Sequence, residues 1–179
     1  MGDGSGATLA LLTLFRIRDH HLPQPACAVL MSPYTLLNAE AKSYRDNKDK
    51  DFILCHDFKT WSSFVTKTDV NQLYLLGHAK YSPLYDHLYT LPPLLIHSGG
   101  HEVLAAECYA LGRLARSNGV KVTVVVGCGC GYGCGCGLVL LCQIFLSKSW
   151  RMSWVSSLVY VVCRRSCMCD KHSLIELDS

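Results

Sequence analysis

Three short apolar segments, each bounded by turn-forming residues, limit what this chain can fold into. They are ACAVLMS at 26–32, PPLLIHS at 92–98 and the β-branched run VKVTVVV at 120–126. A short run that is apolar throughout, as at 26–32, is typical of a strand buried on both faces of a sheet. We therefore expect strands at all three positions, with the first buried on both faces.

Segments with helical character separate the strands. Residues 7–18 form an apolar run without internal glycine or proline, entered from a glycine-rich turn. Between 102 and 119, apolar residues such as Leu104, Cys108 and Leu111 share one helix face, and Asn118-Gly119 supplies a C-terminal stop. This alternation predicts the α/β class, with a parallel sheet flanked by helices. The polar stretch from Asn38 to Asp51 is predicted to be a solvated loop or a short helix.

Length and charge exclude some classes of protein. A chain of 179 residues is long enough for one domain with a core. The formal net charge is +3 and the basic residues are scattered, so we expect no nucleic-acid partner. Asp3 is the first charged residue, and no basic segment precedes the apolar run as in a secretory signal. We therefore expect a cytoplasmic protein.

The composition changes at about residue 127. The segment GCGCGYGCGCG begins there, and eight of the eleven cysteines fall within the last 52 residues. Low-complexity sequence of this kind lacks the periodicity of the first part. We therefore divide the chain into a domain at 1–126 and an irregular Gly/Cys-rich apolar tail at 127–179.

Three interpretations of the tail stay open. Disorder without a selected role is one of them. The second is membrane association, because 26 consecutive residues between Lys121 and Lys148 carry no charge, more than the ~20 that cross a bilayer. The third is a metal site at Cys128, Cys130, Cys134 and Cys136, whose C-x-C spacing differs from the usual zinc patterns. We expect no metal and no cofactor.

Five segments resemble, in order and spacing, the hormone-sensitive-lipase-like group of α/β hydrolases, also called fold-3. They are GDGSGATLALL, SPYTLL, SYRDNKDKDFIL, YSPLYDHLYTLPPLLIHSGGHEVL and GVKVTVVV. The resemblance covers roughly residues 2 to 126 and matches only the C-terminal half of such a domain. It implies a partial α/β-hydrolase fold and the hydrolysis of small carboxylic esters. It also implies a Ser, Asp, His triad in that chain order, with the serine in a G-x-S-x-G turn.

This chain departs from the catalytic pattern that the resemblance implies. The nucleophile position falls on Gly4, which has no side chain, and Ser5 lies one place later. One residue near a helix start is a rotation of ~100°, which directs the Ser5 hydroxyl elsewhere. His101 stands at the acid position, and the catalytic histidine has no clear place, since His172 is the only later one. Ser5 is the single candidate catalytic residue; its alternative role is that of a small residue at a helix start.

Other parts of the family's machinery are also expected to be missing. The glycine-rich loop of the oxyanion hole and the strand that leads into the elbow would precede Met1. The strand at 26–32 is therefore expected to have an open side.

Two functional hypotheses follow. The first is a catalytically impaired hydrolase fragment with a small-molecule ester as substrate, and the second is a membrane-associated or Cys-rich interaction protein that uses the hydrolase remnant as a scaffold.

Overall fold

The computed structural model describes residues 1–51, 53, 60–62 and 81–127. Of the predicted tail at 127–179, Gly127 is described and ends the last described strand, and residues 128–179 lie outside the described residues. The elements in chain order are strand β1 (Gly2–Asp3), helix α1 (Ser5–Asp19), strand β2 (Ala28–Met31), helix α2 (Lys42–Asp46), a 3-10 turn (Pro83–Tyr85), strand β3 (Leu94–Gly99), helix α3 (Ala105–Ser117) and strand β4 (Val122–Gly127).

The four described strands form one parallel sheet in the order β1-β2-β3-β4. The predicted α/β fold with a parallel sheet and flanking helices is therefore confirmed. One expectation is wrong at the carboxyl end of the strand at 26–32: its side toward the elbow is paired there, because Gly2 and Asp3 pair with Leu30 and Met31. Two residues are too short a segment for any periodicity to predict.

The two faces of the sheet pack differently. Leu30, Ile96 and Val124 point to the face that helices α1 and α3 cover, and they belong to the main apolar core. Leu95 and Val125 point the other way and form a second, smaller cluster. The contact with α3 is close, because a Cβ placed on Gly112 would come within 2.5 Å of Val124 Cγ2. A glycine in the middle of α3 therefore lets this helix approach β4.

Helix α3 ends where the sequence predicts. The Asn118 side chain donates to the Leu114 carbonyl through Nδ2 at 2.9 Å, and Gly119 has a φ of 75°. A left-handed residue just after the last turn is the usual helix stop, and glycine adopts it without steric cost. The chain then enters β4, which begins two residues later and ends one residue later than predicted.

The polar stretch at 38–51 is only partly solvated. It contains the short helix α2, and its Ser43, Tyr44, Asn47 and Asp51 are all buried. The prediction of a short helix is confirmed, and the prediction of solvation is wrong for these four residues. Their polar groups are buried because each meets a hydrogen-bonding partner near the start of α3.

Candidate functional site

The turn between β1 and α1 has an unusual backbone at Gly4. Its φ is 52° and its ψ is −119°, a combination that costs residues with a side chain about 1–3 kcal/mol. The Gly4 N–H donates to the Met31 carbonyl at 2.9 Å, and the Gly4 carbonyl accepts from the Ala7 and Thr8 amides at 3.1 Å each. The turn therefore joins strand to helix abruptly, as a nucleophile elbow does.

A close backbone contact explains why position 2 is a glycine. A Cβ on Gly2 would lie 2.2 Å from the Gly6 carbonyl oxygen and 2.6 Å from the Ala7 nitrogen. Strand β1 and the first turn of α1 are thus in backbone contact, which only glycine permits. At Gly6 a Cβ would meet nothing within 4 Å. The space around Gly6 therefore does not require a glycine at this position.

Ser5 is the first residue of α1 and is exposed, whereas Gly4 is buried. The strained backbone conformation of the elbow belongs to Gly4, and Ser5 occupies the helical position after it. The structure thus brings the Ser5 hydroxyl next to the nucleophile position without placing it there.

A buried carboxylate follows strand β3 at the same edge of the sheet. Glu102 is 2% exposed, and the Ser98 hydroxyl donates to its Oε2 at 3.2 Å. Burial raises the pKa of Glu102, while hydrogen bonds from the Ser32 hydroxyl, the Gly99 amide and Ser98 oppose this shift. His101, at the position where the resemblance implies an acid, is only half-buried. From the sequence alone, Glu102, one place after the acid position at His101, is expected to face elsewhere, and no local pattern indicates its burial.

The loop after β2 connects the elbow with Glu102. The Thr8 hydroxyl of α1 donates to the Tyr34 carbonyl at 2.6 Å, and the Ser32 amide donates to the His97 carbonyl at 2.7 Å. Ser32 itself is buried, has a φ of 44° and contacts Glu102 through its hydroxyl. Carboxyl ends of parallel strands meet at one edge of a sheet, so the ends of β1, β2 and β3 together form the candidate site.

A second buried carboxylate, on helix α3, holds the same loop after β2. Glu107 on α3 is fully buried and accepts hydrogen bonds from the amides of Thr35 and Leu36, at 2.7 and 2.8 Å. The Tyr44 hydroxyl donates to its other oxygen at 2.7 Å. Burial raises the pKa of Glu107 to about 7 in spite of these donors. Glu107 is therefore a structural anchor for the loop.

Within the described part of the chain, the hydrogen bonds to the Glu102 carboxylate come from Ser32, Ser98 and the Gly99 amide, and not from a histidine. His97 lies inside β3, is 8% exposed, and pairs in register with Met31 and Val125. Burial lowers the pKa of His97, while Asp3 opposes this shift. His172 lies outside the described residues.

The metal and membrane interpretations concern mainly the tail of the chain. Within residues 1–51, 53, 60–62 and 81–127, no group of three or more histidine, cysteine or acidic side chains forms a metal-binding cluster. In the same residues no helix has the length and hydropathy of a membrane span. The four cysteines at 128–136 lie outside these ranges, and of the two described cysteines, Cys27 and Cys108, both are free thiols.

The family of the chain follows from comparison with known proteins. Residues 1–134 match the family model described as the alpha/beta hydrolase fold. The chain belongs to this family. The alpha/beta hydrolase match includes the elbow, the loop after β2, Glu102 and all four strands of the described sheet.

Two curated relatives of this alpha/beta hydrolase carry activity names. An acetyl-hydrolase from Streptomyces hygroscopicus is 36% identical over 124 residues, which are 68% of this chain and 40% of that protein. An esterase from Acinetobacter venetianus is 33% identical over 121 residues, which are 68% of this chain and 39% of that protein. The chain thus spans about two-fifths of the length of each relative.

Solved structures of the same fold confirm the predicted resemblance. An esterase from the bacterial hormone-sensitive lipase family superimposes with a TM-score of 0.68 at 22% identity, covering 92% of this chain and 50% of that one. The esterase EstE5, solved with PMSF, gives a TM-score of 0.65 at 26% identity, covering 92% of this chain and 51% of that one. The superimposed part of this chain therefore corresponds to about half the length of each of these two esterases.

Proposed function

We propose that this alpha/beta hydrolase acts on small carboxylic esters, and that Gly4 impairs the hydrolysis. The elbow backbone carries the proposal: Gly4 has the φ of 52° and ψ of −119° of a nucleophile turn but no side chain to attack an ester carbonyl. Relatives named acetyl-hydrolase and esterase support the substrate class. The chain covers about two-fifths of each of these relatives, which supports the prediction of a partial domain.

The remaining roles follow from position. The amide of Ser5, the residue after the nucleophile position, would donate to the oxyanion that forms when a carbonyl is attacked. Glu102 would be the acid that orients a histidine, since it is the buried carboxylate at the end of β3. The Ser5 hydroxyl would be the residual nucleophile, because it is next to the vacant position.

Hydrolysis of a short-chain nitrophenyl ester tests these roles in three proteins. We expect the wild type to turn over slowly, and Ser5→Ala to reduce that turnover to the rate in buffer. Gly4→Ser places a hydroxyl on the elbow and should raise turnover well above the wild type, at a cost of about 1–3 kcal/mol in unfolding free energy for the strained conformation. Ser117→Ala, which removes an exposed hydroxyl at the end of α3, is the matched control.

The outcomes distinguish the role of the Ser5 hydroxyl from that of the hydroxyl introduced by Gly4→Ser. Wild-type turnover that survives in Ser5→Ala would remove Ser5 as nucleophile. A folded Gly4→Ser protein without any gain would show that more than the nucleophile is lacking, and would contradict the proposal of ester hydrolysis at this elbow.

Membrane association through 127–179 is a second candidate. The uncharged stretch of 26 residues between Lys121 and Lys148 supports it, although its first six residues, Val122–Gly127, form β4. Carbonate extraction of membranes from expressing cells tests it: we expect the full chain to stay in the pellet and a chain truncated after Gly127 to be released. Release of both would contradict membrane insertion.

A further inference from the structure

The turn that carries Glu102 is held by side chains from a distant segment. Asn47 donates through Nδ2 to the Glu102 carbonyl at 2.8 Å, and the Val103 amide donates to Asp51 Oδ2 at 2.8 Å. Ser43 donates its hydroxyl to the Val103 carbonyl and accepts from the Ala106 amide at 3.1 Å. The two peptide groups that follow the Glu102 side chain, one between 102 and 103 and one between 103 and 104, are thus held from outside the turn.

These contacts are shielded from water. Asn47 and Asp51 are each 8% exposed and Val103 is fully buried. A buried hydrogen bond that loses one partner leaves the other group unsatisfied, which costs about 1–3 kcal/mol. The buried hydrogen bonds from the segment Ser43 to Asp51 therefore restrict the main-chain conformation of the turn.

These hydrogen bonds to the main chain affect the direction of the Glu102 carboxylate. Its oxygens meet Ser98 at the end of β3 and Ser32 at the end of β2, both at the carboxyl edge of the sheet. A change of main-chain direction at Glu102 or Val103 would swing the carboxylate away from these two hydroxyls.

We infer that Asn47 and Asp51 are positioning residues, which hold the main chain of Glu102 and Val103 so that the Glu102 carboxylate stays at the catalytic edge of the sheet. The inference rests on the proposed function only in giving Glu102 the role of the acid. Neither Asn47 nor Asp51 contacts the elbow in the described hydrogen bonds; both act through Glu102.

Asp51 adds an electrostatic contribution to its hydrogen bond. Its negative charge disfavours ionisation of Glu102 and is one cause of the raised pKa of that carboxyl, after burial. A neutral residue at 51 could accept the Val103 amide without this repulsion. Removing the charge of Asp51 should therefore lower the pKa of Glu102, which a neutral hydrogen-bond acceptor at 51 would not raise.

The experiment reads the titration of Glu102 directly by carbon NMR. The chain has four glutamates, so protein labelled at the glutamate carboxyl carbon gives four signals, and Glu102→Gln and Glu107→Gln assign two of them. We expect the midpoint of Glu102 to move downward in Asn47→Ala, because the freed turn exposes the carboxyl to water. We expect a downward movement in Asp51→Asn as well, because the repelling charge is removed.

Tyr44→Phe is the matched control. Tyr44 lies in the same segment and is equally buried, but it donates to Glu107 instead of Glu102. We expect the Glu107 midpoint to rise in this variant, because the charged form loses a donor, and the Glu102 midpoint to stay unchanged. A Glu102 midpoint that is unaltered in Asp51→Asn, or that moves equally in Tyr44→Phe, would overturn the inference.

Asp51→Asn keeps an acceptor oxygen and the side-chain shape, so it remains informative if Asn47→Ala fails to fold. The titration needs no turnover, so its result stands apart from the ester assay. Where Gly4→Ser is active, adding Asn47→Ala should lower kcat by up to about 100-fold with little change in KM, since misplaced catalytic groups lose rate on this scale. An inactive Gly4→Ser protein with the expected Glu102 movements would contradict the proposed function and leave the positioning role intact.

Discussion

Glu107 gives the fold a pH dependence whose sign and size can be worked out. The carboxyl is fully buried, and burial raises its pKa from 4.5 to about 7. The folded protein therefore holds a proton on Glu107 that the unfolded chain releases at lower pH. Stability from this group is complete below the unfolded pKa and is lost as pH rises through the folded one.

The replacement Glu107→Gln removes this titration. Each pH unit between the two pKa values corresponds to about 1.4 kcal/mol. Relative to the variant, the wild type should therefore lose about 3 kcal/mol of unfolding free energy between pH ~4.5 and ~7. The variant should also be less stable than the wild type at acid pH. Glu107 accepts on both oxygens, from the amides of Thr35 and Leu36 and from the Tyr44 hydroxyl, whereas glutamine has one acceptor oxygen and its nitrogen cannot accept.

Urea unfolding at a series of pH values measures both effects. The informative quantity is the difference in unfolding free energy between the two proteins, because titration of Glu102 and His97 is common to both. Glu40→Gln, at an exposed position, is the matched control for the loss of a glutamate. A difference that stays flat between pH ~4 and ~8, or that favours the wild type as pH rises, would refute the reasoning.

Two further predictions concern close backbone approaches. Gly112→Ala should lower the unfolding free energy by about 1–3 kcal/mol, because the new Cβ meets Val124 Cγ2 at 2.5 Å, and Val124→Ala should relieve part of that loss in a double-mutant cycle. Gly2→Ala should lower the melting temperature, because its Cβ would overlap the Gly6 carbonyl, whereas Gly6→Ala should raise stability by up to about 1 kcal/mol. Equal effects of the two elbow substitutions in thermal unfolding would show that β1 does not pack against α1 as described.

The strands and long helices were predictable because their signals are local. Short apolar runs placed β2, β3 and β4 within two residues, and the Asn118-Gly119 stop placed the end of α3. The two-residue strand β1 was not predictable, because its only signal is its partner β2, 28 residues later in the chain.

The candidate site was predictable only in part. The elbow is visible as a glycine pattern, and the structure shows its strained backbone at Gly4. The buried carboxylate after β3, Glu102, could not be predicted for a physical reason: the direction in which a turn residue points depends on main-chain contacts. Those contacts come from Asn47 and Asp51, which lie more than 50 residues away and read in sequence as part of a charged, solvated run.

Glu102 and Glu107 stand five residues apart and reach the same loop after β2. Glu102 lies in the turn before α3, and Glu107 lies in the first turn of the helix. Inserting or deleting one residue at the start of α3, before Glu107, would turn the Glu107 carboxylate by ~100° about the helix axis and withdraw it from the Thr35 and Leu36 amides. The length of the β3–α3 connection is therefore constrained by a loop that follows a different strand.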